Sequence, residues 1–99
     1  MKVLEERKKT HGSYHEVAET TLTGLKLFTH PDFDDVQKTS MIMIINKLAR
    51  IKCGDPDFID SWRDIAGYAT LAVNHLQNKP GATDVKNVRI TIEGDTNEG

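Results

Sequence analysis

The chain has 99 residues, 37% of them hydrophobic, a formal net charge of −2 and a single cysteine. That length makes one small domain with a thin core, so a helical oligomer that completes its core across subunits is expected. The slight acidity argues against duplex DNA as a partner, and the lone Cys53 excludes an intrachain disulfide and fits a reducing cytosol. No apolar run approaches the ~20 residues of a membrane span, and Met1-Lys2-Val3 opens no signal peptide, so a cytoplasmic protein is expected.

The charged start "MKVLEERKK" can form a short helix anchored by Val3 and Leu4. In the following "THGSYHE", Ser13 and Glu16 have the S-x-x-E spacing of a capping box. Beyond it Tyr14, Val17, Ala18, Thr21, Leu22, Leu25 and Phe28 recur at helical spacing, which predicts a helix from Tyr14 to Phe28 that stops before His30-Pro31. A second helix is predicted from Asp34 to Lys52, with acids at its start and bases toward its end, as the macrodipole favours. Its principal stripe is Met41, Ile44, Ile45, Leu48 and Ile51. Ile42 and Met43 widen that stripe beyond one face, which marks the helix as central or interfacial.

"CGDPDF" then combines a helix stop at Gly54 with a start, Asp55 as N-cap and Pro56 as first helical residue. The third long helix, Pro56 to Asn78, is expected to bury Phe58, Trp62, Ile65, Ala69, Val73 and Leu76. After "KPGATD", Val88, Ile90 and Ile92 alternate as in a strand. Residues 1–79 thus read as a helical domain and 80–99 as a tail or arm. The fold expected is all-α: an antiparallel helical hairpin with an added N-terminal helix, completed by oligomerisation, and a short β-prone tail.

Two helices joined by so short a turn place Asn46, Lys47 and Arg50 opposite Asp57, Asp60, Ser61, Asp64 and Tyr68, each set sharing one helix face. Carboxylates one turn apart, such as Asp60 and Asp64, can hold Mg²⁺, and Lys and Arg can neutralise phosphates. An ordinary ion-pair network on a solvated face has the same spacing. His11 and His15 would share a metal only if the helix ran back through Gly12, against which the Ser13 cap argues. Gly67 inside the third helix costs ~1 kcal/mol relative to alanine, a choice that close approach of a helix or a ligand would explain. There is no phosphate-binding glycine loop, zinc knuckle or catalytic-triad signature.

Three motifs in order, "ERKKTHGSYHEVA", the Lys-x-x-Arg of "NKLARIKCGDP" and "WRDIAGYATLA", make residues 5–76 resemble a family of small phage and prophage proteins. The resemblance implies functional roles for Arg7, His11 and Gly12, for Lys47 and Arg50, and for Trp62, Asp64, Gly67 and Tyr68. More distantly, "DIAGYA" is similar to the last core helix of MazG-like all-α nucleoside triphosphate pyrophosphatases. The Glu-Glu-x-x-Glu metal motif of those enzymes is missing, and Ser61 stands where their preceding glutamate would be.

The expectation that follows is a nucleotide-binding protein that needs no cofactor. It would sequester a cyclic nucleotide signal of bacterial immunity in the infected host cell, using Arg7, His11, Gly12, Lys47, Arg50 and Tyr68, with itself as the only protein partner. The alternatives are a Mg²⁺-dependent pyrophosphatase with metal on Asp60 and Asp64, and a structural or regulatory phage protein whose charges pair only with one another.

Overall fold

The computed structural model describes residues 2–84, without the side chains of residues 2–4 and of Arg7. Val88, Ile90 and Ile92 therefore lie outside the described residues, as does most of the expected arm. Four helices run through the described part: α1 (Lys2–His11), α2 (Tyr14–Leu27), α3 (Asp35–Cys53) and α4 (Ile59–Gln77). The fold is all-α, and no described helix is long and apolar enough to cross a membrane.

Local chemistry sets the boundaries. Gly12 turns the chain at φ +82°, separating His11 on α1 from His15 on α2, and the Ser13 hydroxyl accepts from the Glu16 amide as the N-cap of α2. Asp34 caps α3 with a reciprocal box: its carboxylate accepts from the Gln37 N–H at 2.9 Å, and the Gln37 side-chain oxygen accepts from the Asp34 N–H at 3.0 Å. The start of α4 differs from expectation. Asp55 accepts from the Asp57 N–H in a local turn, and the helix begins at Ile59 with Phe58 as N-cap. The carboxylate therefore closes the interhelical turn instead of capping the helix.

The centre of the molecule is α3, which runs antiparallel to α2 on one side and to α4 on the other, while α2 and α4 do not meet. Toward α2 it presents Ile45, whose Cγ2 would lie 2.7 Å from a Cβ on Gly24, and Asn46, which donates to the Thr21 hydroxyl at 3.3 Å. Toward α4 it presents Lys47, ion-paired with Asp64 at 3.0 Å. Ser40, seven residues before Lys47, and Ser61, three before Asp64, are buried small residues of the same two faces. The helices thus form a layer one helix thick. Among the described residues only Val17, Ile45 and Ala49 are buried hydrophobics.

This layer overturns part of the expected core. On α2, Tyr14, Leu22 and Phe28 are exposed, and on α3 so is Leu48. On α4, Trp62, Ala69 and Val73 are exposed, while Phe58, Ile65 and Leu76 are half-buried. A helix buries only the stripe that another element covers, and nothing in the described chain covers the second apolar side of α4.

The first helix is fastened by backbone contact. The Asp55 N–H donates to the Thr10 carbonyl at 3.1 Å. A Cβ on Gly12 would lie 2.6 Å from the Cys53 backbone, and one on Gly54 2.5 Å from the Thr10 carbonyl oxygen. At the opposite end of the hairpin, Asp34 ties α3 to the end of α4. Its carboxylate accepts from Lys79 Nζ at 2.6 Å and lies 2.8 Å from His75 Nε2. His75 is thus a cross-brace between α4 and the start of α3.

Candidate functional site

On one face of α4 the structure opens a cleft of about 410 Å³, lined by Arg63, Asp64, Gly67, Tyr68 and Leu71. Asp64 is the acid of its wall, and Asp60 stands one turn before it on α4; each meets a cation. Arg63 reaches back to Asp60 at 3.2 Å on the exposed surface. Asp64 takes Lys47 from α3, and there the side chains are 47% and 13% exposed respectively, so the lysine is the buried member. A lysine that deep needs an anion beside it, and at this position Asp64 supplies it.

Gly67 stands in the wall of the cleft. A Cβ there would meet nothing within 4 Å, so no other helix of the described chain approaches it. The glycine instead leaves the groove beside Tyr68 one methyl deeper. That aromatic, half-buried on the next residue, offers a ring for stacking and a hydroxyl for hydrogen bonding.

Arg50 lies one turn beyond Lys47 on α3, half-buried. Its guanidinium has no ion pair among the described residues. One turn further, Cys53 and Gly54 touch Gly12, and the His11 ring packs edge-on against Phe58 with centroids 5.3 Å apart. From Lys47 to Cys53 the rise along the helix is about 9 Å. His11 and Gly12 therefore sit at the hairpin turn, and Tyr68 and Asp64 sit in the cleft. Lys47 reaches the cleft through its ion pair, and Arg50 lies between the two groups along α3. The Arg7 side chain is outside the described part.

Several sequence expectations resolve differently. Asp57 precedes the helix and lies exposed in the turn, and Ser61 is buried against α3, so neither joins the cleft wall. The carboxylates of α2 also stand apart from the cleft: α2 does not touch α4, and Glu19 pairs with His15. Among the described residues no three side chains of His, Cys, Asp or Glu come together in a group able to hold a metal ion. Arg63 and Leu71 line the cleft without having been singled out in the sequence. Their spacing from Gly67, four residues to either side, was the available signal.

The Thr20 hydroxyl lies 3.5 Å from Cys53 Sγ, which places the thiol in the α2–α3 contact and away from the cleft. No curated protein matches the chain, and no solved structure matches it. Residues 2–76, from the start of α1 to the last turn of α4, match the domain of unknown function DUF6378, and the chain belongs to that family.

Proposed function

We propose that this protein binds a nucleotide by its phosphates and holds it without cleaving it. The observation that carries this is Arg50: a half-buried residue on α3, one turn from Lys47, whose guanidinium has no ion pair among the described residues. A cation in that position gains more from an anionic ligand than from water, and a guanidinium takes phosphate oxygens in bidentate fashion. Lys47 adds a second positive charge, Arg63 a third at the rim, and Tyr68 a surface for a base. His11 and Gly12, with Arg7 on the same helix, extend the binding strip toward the hairpin turn. The resemblance to small phage proteins supports a specific role, sequestration of a cyclic nucleotide signal in the cytoplasm of an infected bacterium, with no cofactor and with the protein itself as sole protein partner.

Hydrolysis by a MazG-like route would place Mg²⁺ on Asp60 and Asp64. Each of these carboxylates already faces a cation, and no third acid joins them among the described residues. That distribution of charge favours binding over metal-assisted cleavage. The test is calorimetric titration with a panel of nucleoside triphosphates and cyclic di- and oligonucleotides, with and without Mg²⁺, followed by chromatography of the recovered ligand. Metal-independent binding with intact ligand is expected. Mg²⁺-dependent release of a monophosphate would establish the pyrophosphatase instead. Absence of both across the panel would leave Lys47 and Asp64 as a structural ion pair.

A further inference from the structure

We infer that two copies of this chain pair through α4, antiparallel about a twofold axis that passes between Ala66 and Ala69. The inference rests on a seam along the side of α4 that α3 leaves largely uncovered, with the half-buried Leu76 at its end. Ile59, Trp62, Ala66, Ala69, Val73 and Leu76 follow one another at steps of 3, 4, 3, 4 and 3 residues. All six are apolar, and this is the a/d repeat of a helix that packs against another helix. The partner is not α3, which takes the side carrying Ser61, Asp64 and Tyr68. Nor is it α2, which does not touch α4. Ile59, Trp62 and Val73 are 61%, 53% and 51% exposed, and both alanines are exposed.

Self-pairing is selected by the order of side chains along the seam. It reads the same from both ends by size: bulky Ile59 and Trp62, then Ala66 and Ala69, then bulky Val73 and Leu76. Antiparallel pairing about the midpoint sets Ala66 against the partner copy's Ala69, so the backbones approach closely at the axis. It sets each Trp62 over the other copy's Val73, and each Ile59 over its Leu76. An antiparallel coiled seam joins a to d positions in this way, and a twofold contact must be self-complementary in this way.

No charged residue stands in the seam, so the twofold brings no like charges together. Arg63, Thr70 and Gln77 border it as a polar rim. The exposed seam residues supply about half of the ~800 Å² that each partner contributes to a stable interface, and the rim supplies more. A second layer is also what the one-helix-thick fold lacks. The cleft residues Asp64, Gly67 and Leu71 occupy other positions of the repeat, away from the seam, and stay open in the pair.

The full chain is tested by sedimentation equilibrium and by the emission of Trp62, its single tryptophan. The expected result is twice the chain mass at micromolar concentration, with emission that shifts to the red as dilution dissociates the pair. Ala69→Glu, at an exposed position and with a good helix former, is expected to give a monomer with unchanged helical content. A wild-type monomer at all concentrations would overturn the inference, as would a dimer that Ala69→Glu leaves intact. Orientation is read by oxidative crosslinking, which does not depend on how the charge variant folds. Trp62→Cys with Val73→Cys in one chain should crosslink between copies, and Val73→Cys alone should not. The reverse pattern, or no crosslink in either, would refute the antiparallel seam.

Discussion

Gly67→Ala separates the cleft from the rest of the fold more cleanly than any charge substitution. Glycine inside a helix costs about 0.8–1 kcal/mol relative to alanine, through backbone entropy that the methyl removes. The added carbon would meet no atom within 4 Å, so no packing penalty opposes that gain. The variant should therefore be more stable by up to about 1 kcal/mol, a rise in melting temperature of ~4–8 °C for a domain of 60–100 residues, read at equal protein concentration. In the nucleotide titration the same methyl fills the groove beside Tyr68. An overpacked contact costs about 1–3 kcal/mol, so affinity should fall by ~5- to 150-fold. Stability and binding thus move in opposite directions. A less stable variant would mean that another surface covers Gly67. A more stable variant that binds nucleotide like the wild type would show that the cleft is not the ligand's seat.

Four further outcomes are expected. Asp64→Asn removes the anion that competes for Lys47, so phosphate affinity should rise while stability falls by about 1 kcal/mol or less, since Asp64 is half exposed; a metal-dependent enzyme would instead lose turnover. Asp34 is held well below the ordinary carboxylate range, first by Lys79, then by the Gln37 N–H and by His75. Its ionised form thus stabilises the fold fully above the unfolded pKa of about 3.9, and that contribution disappears as pH falls below it. Urea midpoints of wild type and Asp34→Asn, which keeps a capping side chain, should therefore differ at pH 6 and converge only under acid; a constant gap would refute the charge argument. Gly54→Ala should destabilise by ~2 kcal/mol or more in chemical denaturation although its φ is −121°, because the methyl would overlap the Thr10 carbonyl and prise α1 from the hairpin turn. Gly24→Ala should cost about 1–3 kcal/mol by driving α2 off Ile45, and a neutral result would mean that the two helices separate freely.

Most helix boundaries were legible in the sequence, because helix formation is written in local chemistry. The Ser13 hydroxyl, the Asp34 carboxylate, the Gly12 turn and the Gly54 stop act within a few residues of where they stand. The antiparallel hairpin and the meeting of Lys47 with Asp64 follow from helix length and a short turn, and both were legible. The start of α4 was not, since Asp55 can serve a turn or a helix equally well and only the path of the chain chooses. Periodicity gave every apolar stripe but not its partner. Trp62 and Val73 obey the same spacing as Ile65 and Leu76, and which of them α3 covers is a matter of how two cylinders are rotated against each other. The brace from Asp34 to His75 and Lys79 spans more than forty residues, as contacts set by tertiary distance do. Tertiary structure alone decided that α2 and α4 lie on opposite sides of α3. That placement leaves the α4 seam uncovered, keeps Glu19 away from Asp64, and leaves Arg50 with no ion pair among the described residues.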